Sequence, residues 1–137
     1  MNNNITDCIV FSIPKIVDPR GNLAVIEKEN LGFPIKRVYY LYNVPAGAYR
    51  GGHAHKKQSE VLIAVSGSFE VIIQDGVSKK SILLNRPDQA LLLPPGIWRE
   101  LKDFSQGSVC LVLNSGEFSE EDYIRDYSHF QQFKNIF

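Results

Sequence analysis

The stretch that decides the fold is residues 47–67, which read GAYRGGHAHKKQSEVLIAVSG. Two of the three histidines, His53 and His55, stand one residue apart in it. Because alternate side chains of a β-strand leave on the same face, both imidazoles are predicted to point into whatever the strand encloses, with Arg50 at its start. The surrounding glycines allow backbone to pass close to other backbone or to a ligand. We therefore predict a functional site in this stretch.

Short strands separated by turns are predicted along most of the chain. Beyond the histidine strand, they fall at residues 8–17, 23–27, 35–44, 59–65, 68–75, 78–84, 90–93, 98–101 and 109–113. The polar segment 28–34 is predicted to be a loop, and Arg37 and Tyr39 share one face of strand 35–44. Many short strands at regular spacing indicate an all-β sandwich or barrel.

The end of the chain has a different pattern. Residues 119–122 (Ser-Glu-Glu-Asp) resemble the start of a helix, with acidic side chains in its first turn. Aromatic residues then recur at helical spacing at Tyr123, Tyr127 and Phe130. We predict a C-terminal helix whose aromatic stripe covers the barrel or a partner subunit.

Composition argues against several classes of function. The 137 residues are predicted to form one domain spanning 1–137, and 15 basic residues balance 15 acidic ones, which argues against a nucleic-acid partner or an anionic membrane surface. No apolar stretch approaches about 18 residues, so neither a membrane span nor secretion is expected. Cys8 and Cys110 lie in apolar contexts, and we interpret them as reduced thiols of a cytoplasmic protein.

The spacing of the central stretch matches the first motif of the cupins. In that motif a glycine, a His-x-His pair, a glutamate and a second glycine follow one another at set intervals. The residues at those positions are Gly47, His53, His55, Glu60 and Gly67.

The second cupin motif is present in an altered form. Pro94-Pro95-Gly96 fits its start, whereas Arg99 stands where its histidine would be and Asp103 where its asparagine would be. One complete and one altered motif on an all-β chain resemble a cupin. The resemblance implies a double-stranded β-helix, or jelly roll, here with a short C-terminal α-helix.

Four motifs resemble the sugar-nucleotide 3,4-ketoisomerase family over nearly the whole chain. They are KRVYY at 36–40, RGGHAHKK at 50–57, WRE at 98–100 and DYIR at 122–125. DPRG at 18–21 is also similar to the related sugar-nucleotide 3,5-epimerases. The resemblance implies a metal-independent homodimeric enzyme without a cofactor, acting on 4-keto-6-deoxyglucose linked to thymidine diphosphate (dTDP). It also implies a place in making 3-amino-3,6-dideoxy sugars for bacterial surface glycans such as the O-antigen of lipopolysaccharide.

Acid/base chemistry suits the two histidines. Moving a carbonyl from carbon 4 to carbon 3 needs proton transfers through an enediol, and an imidazole with a pKa of about 6.5 can accept and donate protons near neutrality. By resemblance, His53 and His55 are catalytic, and we assign His55 to the carbon proton and His53 to the oxygens.

A guanidinium fork suits phosphate oxygens. The predicted substrate-binding residues are Arg20, Arg37, Tyr39, Arg50, Arg99 and Glu100.

Two other functions stay open at this point. Glu60 stands where related ketoisomerases tend to carry glutamine, and with His53 and His55 it completes a two-histidine, one-carboxylate set of the kind that binds non-haem iron. Against a metal, Arg99 places a permanent cation beside the missing ligand's position. The third hypothesis is a non-catalytic module that only binds a nucleotide sugar.

The configuration of the product also stays open between galacto and gluco. The ketoisomerase subfamilies differ at two positions, and this chain has arginine at both, Arg20 and Arg99.

Overall fold

The computed structural model describes residues 3–135 and consists mainly of short antiparallel strands. The strands are β1 (Ile9–Ser12), β2 (Lys15–Ile16), β3 (Leu23–Ala24), β4 (Arg37–Tyr42), β5 (Arg50–His55), β6 (Glu60–Ser66), β7 (Phe69–Gln74), β8 (Lys79–Leu84), β9 (Gln89–Leu93), β10 (Trp98–Lys102), β11 (Val109–Asn114) and β12 (Tyr123–Ile124). The α-helices are α1 (Lys28–Leu31) and α2 (Tyr127–Phe133). Within the described range, no helix is long and apolar enough to cross a membrane.

Two five-stranded antiparallel sheets form the body of the protein. The first has the order β1-β9-β6-β11-β4 and the second the order β12-β5-β10-β7-β8, while β2 and β3 form a separate pair. Most neighbouring strands are far apart in sequence, as the long connections of a jelly roll require. The prediction of an all-β jelly roll with a short C-terminal helix is confirmed.

The main core lies between the two sheets. Leu62 of β6, Val71 of β7 and Val112 of β11 belong to one cluster and are fully buried. Period-two alternation along β6 and β11 places Glu60 and Asn114 on the same inner face, where the ladder pairs them directly. The sheet thus carries a carboxylate and an amide into the interior.

Smaller apolar clusters cover the outer faces of the sheets. On the first sheet, Val61 packs with Leu31 of α1. On the second sheet, Ala54 and Trp98 pack with Phe130 of α2. Ala54 is the residue between the two histidines, so packing under α2 fixes the strand that carries them.

The predicted loop at 28–34 is wrong for Lys28–Leu31, which form α1. The backbone N–H of Glu27 donates to Asn30 Oδ1 at 2.8 Å, which stabilises the start of this single turn. Gly32, with a φ of 78°, ends the turn in the left-handed conformation that favours glycine. These local bonds outweigh the polar composition from which a loop was predicted.

The C-terminal helix begins later than predicted. Asp126, and not Ser119, caps α2, and its carboxylate accepts hydrogen bonds from the backbone N–H groups of Ser128 at 2.8 Å and His129 at 3.2 Å. The residues before it form a 3₁₀ turn and then β12, which pairs with β5. Tyr123 therefore belongs to the sheet that carries the histidines, and not to the helix.

The turn between β6 and β7 is packed too closely at Gly67 to hold a side chain. Its φ is +67°, and an added Cβ would lie 2.5 Å from Ser105 Oγ and 2.8 Å from the Cα of Ser108. Gly67→Ala is expected to lower the free energy of unfolding by about 3 kcal/mol in chemical denaturation, because left-handed strain adds to overpacking against backbone. Gly107→Ala is the matched control, since Gly107 has a φ of +75° but nothing within 4 Å of an added Cβ. It should lose only about 1 kcal/mol, and equal losses would contradict the packing argument.

Candidate active site

A cleft of about 620 Å³ opens beside β4, β5, β10 and the C-terminal segment. Its polar and aromatic lining residues are Arg37, Tyr39, Tyr49, Arg50, His53, Arg99, Phe118, Tyr123 and Arg125. No carboxylate borders it among the described residues. The excess of guanidinium groups makes the cleft suited to an anionic ligand.

The two histidines of β5 share one inward face, as their spacing predicted. Their ring centroids are 5.0 Å apart with the planes at 88°, and His53 and His55 are 6% and 4% exposed. They differ in access, because His53 forms part of the cleft wall whereas His55 lies behind it. A molecule bound in the cleft would therefore contact His53.

His55 is held between two carboxylates. Its Nδ1 lies 2.9 Å from Asp122 Oδ2, and its Nε2 lies 3.3 Å from Glu60 Oε2, a contact whose geometry falls short of a hydrogen bond. Asp122 is itself fixed by the backbone N–H groups of Lys57 at 2.7 Å and Gln58 at 3.3 Å. Each ring nitrogen of His55 thus faces a carboxylate oxygen, and these two contacts set the orientation of the ring.

Glu60 is the buried carboxylate at the centre of the site, only 1% exposed. Its Oε1 accepts a hydrogen bond from Arg99 Nη2 at 2.8 Å. Its Oε2 accepts one from the Tyr39 hydroxyl at 2.8 Å and one from Asn114 Nδ2 at 3.2 Å. Burial alone would raise the pKa of Glu60, but the Arg99 guanidinium and the neighbouring imidazoles hold it well below the usual value. Glu60 is therefore ionised at neutral pH.

Arg99 supplies the cation that balances Glu60. The pairing of β10 with β5 places Arg99 directly opposite His53, so the two side chains leave on the same face. Its Nη2 also donates to the Tyr39 hydroxyl at 2.9 Å. Burial would lower the pKa of Arg99, but the Glu60 carboxylate outweighs burial and raises it above the usual value. The site thus contains a permanent positive charge.

The same region contains a possible set of metal ligands. Donor atoms of His53, His55 and Glu60 all lie within 4.8 Å of one another. Arg99, in the position of the missing fourth ligand, already binds the carboxylate of Glu60. A divalent ion would meet a permanent cation and a carboxylate whose two oxygens both accept hydrogen bonds, so these residues fit a metal poorly.

His53 is held in its neutral form. Burial and then the Arg99 cation lower the pKa of its imidazole to about 2, against the opposing effect of Glu60. Its Nε2 is buried, has no hydrogen-bond partner within residues 3–135, and lies 4.0 Å from Glu60 Oε1. A neutral imidazole on a cleft wall can act as a base toward a bound substrate.

Tyr123 covers both imidazoles, a role that the sequence analysis missed. Its ring centroid is 4.8 Å from that of His53 and 4.5 Å from that of His55. Arg37 donates to its hydroxyl at 3.0 Å, and the Arg125 guanidinium lies 4.1 Å from the centroid of its ring. The DYIR motif at 122–125, which the family resemblance singled out, could have indicated this role. The helical spacing of the aromatic residues instead led us to place Tyr123 on the C-terminal helix.

The predicted substrate-binding residues divide into two groups. Those that border the cleft are Arg37, Tyr39, Arg50 and Arg99. Glu100 follows Arg99 on β10, so its side chain leaves on the opposite face, beside Gly52. Arg20 lies near the β2–β3 pair, with a side chain 90% exposed and bonded to Asp18 at 2.9 Å. The structure does not bring Arg20 or Glu100 to the cleft.

The neutral state of His53 makes stability depend on pH. In the unfolded chain its imidazole takes up a proton below about pH 6.5, whereas the folded protein keeps it neutral down to about pH 2. The unfolded state therefore binds more protons between these values, and the free energy of unfolding falls as the pH drops through 6.5. Between pH 7 and pH 5, His53 is expected to account for a loss on the order of 2 kcal/mol, which His53→Gln should remove in denaturation measurements.

His129→Gln is the matched control, because it removes an exposed imidazole on α2. This variant should keep the pH dependence of the wild type. A wild-type pH dependence in His53→Gln, or a protonated His53 ring at pH 5 by NMR, would contradict the neutral assignment.

Comparison with known proteins identifies the family. The FdtA family model, described as WxcM-like, C-terminal, matches residues 6–135. A TDP-4-oxo-6-deoxy-alpha-D-glucose-3,4-oxoisomerase of Aneurinibacillus thermoaerophilus is 42% identical over 125 residues, which cover 90% of this chain and 90% of the relative.

Solved structures agree with this match. A 3,4-ketoisomerase from Helicobacter canadensis has a TM-score of 0.91 and 41% identity, covering 94% of this chain and 98% of the other. A histidine-to-asparagine mutant of the 3,4-ketoisomerase QdtA from Thermoanaerobacterium thermosaccharolyticum, in complex with TDP-4-keto-6-deoxyglucose, has a TM-score of 0.91 and 39% identity, covering 95% and 96%. The chain therefore belongs to the FdtA family, the sugar-nucleotide 3,4-ketoisomerases that its motifs resemble.

Proposed function

We propose that this chain is a 3,4-ketoisomerase that converts dTDP-4-keto-6-deoxyglucose to the dTDP-3-keto-6-deoxyhexose by acid/base proton transfer. The relative from Aneurinibacillus carries the corresponding name, and the QdtA mutant is in complex with TDP-4-keto-6-deoxyglucose. The observation in this chain that carries the proposal is the neutral imidazole of His53 on the wall of an arginine-rich cleft.

The reaction needs a base that accepts a proton and then returns it. The base removes the proton of carbon 3, next to the carbon 4 ketone, and the ketone oxygen gains a proton as an enediol forms. The hydroxyl of carbon 3 then loses its proton while carbon 4 gains one, which leaves the ketone on carbon 3. The sugar loses no electrons, so a redox cofactor is not required. A single base on one face of the ring can serve both carbons.

We assign the carbon proton to His53, whereas the sequence analysis assigned it to His55. His53 lines the cleft, whereas His55 lies one layer behind it. Each nitrogen of His55 faces a carboxylate oxygen, of Asp122 or of Glu60. We therefore give His55 a supporting role, in which its edge-to-face contact holds the ring of His53 in place.

The pKa of about 2 keeps the ring of His53 neutral before substrate binds, but it makes the ring a weak base. The ring starts neutral, and the diphosphate and the developing enediolate bring negative charge that raises its affinity for the arriving proton. Glu60 Oε1, 4.0 Å from Nε2, acts in the same direction. The Arg99 guanidinium borders the same cleft, and its positive charge would stabilise the enediolate oxygens.

Arginine and aromatic side chains suit the cleft to a nucleoside diphosphate. Arg37, Arg50 and Arg125 border it together with Tyr49 and Phe118, whose rings are largely exposed. Guanidinium forks match phosphate oxygens, and aromatic rings stack on a nucleic-acid base. The sequence analysis did not include Arg125, and we add it to the proposed diphosphate ligands.

We also propose a homodimer in the cytoplasm. The edge strand β4 exposes Val38, Tyr40 and Tyr42 at 55%, 60% and 62%, an apolar stripe that a second copy of the chain would cover. Cys8 and Cys110 are free thiols, which suits a reducing compartment. The product would serve the synthesis of 3-amino-3,6-dideoxy sugars for bacterial surface glycans such as the O-antigen of lipopolysaccharide.

A metal-dependent cupin reaction is the second candidate. The donor cluster of His53, His55 and Glu60 favours it, while the bond from Arg99 to Glu60 opposes it. The third candidate is a module that binds a nucleotide sugar without reacting with it. That module would bind dTDP saturably yet catalyse no proton exchange.

Proton exchange in heavy water tests the isomerase directly. The wild-type protein is expected to introduce deuterium at carbons 3 and 4 of dTDP-4-keto-6-deoxyglucose, read by NMR, and to yield a 3-amino sugar when coupled to the 3-aminotransferase. His53→Asn is expected to slow exchange about 1000-fold because the base is lost. Binding of dTDP should survive in this variant.

His129→Asn is the control, since it removes an imidazole outside the cleft and should exchange at the wild-type rate. Exchange at carbons 3 and 5 instead would indicate a 3,5-epimerase. If the wild-type protein binds dTDP saturably but catalyses no proton exchange, the chain is a non-catalytic nucleotide-sugar binding module.

A further inference from the structure

β5 contains one extra residue where it passes the cleft. In its pairing with β10, His53 lies opposite Arg99 and Arg50 lies opposite Leu101, so three steps along β5 match two steps along β10. The register shifts between these pairs, which defines a β-bulge. Gly51 in this bulge has a φ of +68°, the left-handed conformation that glycine adopts without strain.

The bulge turns two cleft residues to the same side. Residues three apart on a regular strand point to opposite faces, so Arg50 and His53 would otherwise lie on different sides of the sheet. Their partners Arg99 and Leu101 are two apart on β10 and share the inner face, and directly opposite side chains share a face. The extra residue therefore lets both Arg50 and His53 line the cleft.

Gly51 also leaves space for the guanidinium of Arg99. A Cβ at position 51 would overlap Arg99 Nη1 and lie 2.7 Å from Leu101 Cδ1, well inside the roughly 3.5 Å at which carbon atoms make contact. Arg99 bonds Glu60 and Tyr39 through Nη2 of the same rigid group. A displaced Nη1 would therefore move the atom that holds both partners.

We propose that Gly51 is a positioning residue of the isomerase. Its bulge aims Arg50 and His53 into the cleft, and its lack of a side chain seats the guanidinium of Arg99 on Glu60. The expected effect on turnover rests on the proposed function. The expected effect on Arg99 does not.

The next residue, Gly52, shows that the effect is specific to position 51. A Cβ at Gly52 would lie 3.7 Å from Glu100 Cγ and 3.8 Å from Trp98 Cζ2, which are ordinary contacts. The atoms that a Cβ at Gly51 would meet are tips of side chains, so the fold can yield by moving Arg99. Gly51→Ala is therefore expected to disturb the site more than the fold.

Two measurements on the full chain test this role. One is kcat/KM for dTDP-4-keto-6-deoxyglucose, and the other is the position of the Arg99 side-chain N–H signals in ¹⁵N-arginine NMR, assigned by their loss in Arg99→Lys. Gly51→Ala is expected to lower kcat/KM about 100-fold, as a misplacement of about 1 Å does, and to shift the Arg99 signals. Gly52→Ala is expected to stay within about twofold and to keep the signals.

Gly107→Ala controls for left-handed strain, since Gly107 has a φ of +75° in open space, and it should retain both turnover and signals. If Gly51→Ala does not fold, Gly51→Ala/Leu101→Val takes its place, because valine removes the Cδ1 contact and leaves the overlap with Arg99.

Two results would overturn the inference. One is that the Arg99 side-chain N–H signals do not shift in Gly51→Ala, or that they shift as much in Gly52→Ala. The other is a kcat/KM for the Gly51 variant within about threefold of that for Gly52→Ala. A wild-type protein without turnover would overturn the proposed function instead, and the Arg99 signals would still decide the role of Gly51.

Discussion

The buried ion pair between Glu60 and Arg99 is the interaction on which the site depends. The two side chains are 1% and 2% exposed and join the two sheets, since Glu60 lies on β6 and Arg99 on β10. Tyr39 of β4 and Asn114 of β11 bond the same carboxylate. Removing either charge would leave the other buried and unpaired, which costs about 3–5 kcal/mol. The pair thus fixes one positive and one negative charge beside the cleft.

The surroundings of the two histidines differ partly because of this pair. Arg99 adds to the effect of burial on the pKa of His53, so that ring is neutral, and it borders the cleft. Glu60 faces Nε2 of His55, whose other nitrogen faces Asp122. One imidazole is therefore available for chemistry while the other is held in place. In the proposed mechanism, a single base on the cleft wall confines proton transfer to one face of the sugar, so the face that the cleft presents sets the configuration at carbon 4.

Strand periodicity predicted an all-β fold with two histidines on one face, and the resemblance to the cupin motifs implied the jelly roll. The features that were missed depend on contacts between distant parts of the chain. Residues 119–122 resemble a helix start, but the Asp122 carboxylate accepts a hydrogen bond from the backbone N–H of Lys57, and Tyr123 pairs with β5. Strand alternation placed His53 and His55 on one face, yet it could not show which ring lies behind the other. Which ring borders the cleft depends on where β5 lies relative to the cleft and to the carboxylates of Glu60 and Asp122.

We propose that the cation used beside Glu60 is Arg99 and not a metal ion, and metal dependence tests this most directly. Protein purified without chelators would be analysed for divalent ions, and its proton exchange on dTDP-4-keto-6-deoxyglucose would be measured before and after chelation. The same rate in both samples, with no stoichiometric divalent ion, is the expected result. Exchange that is lost on chelation and restored by a divalent ion would contradict it.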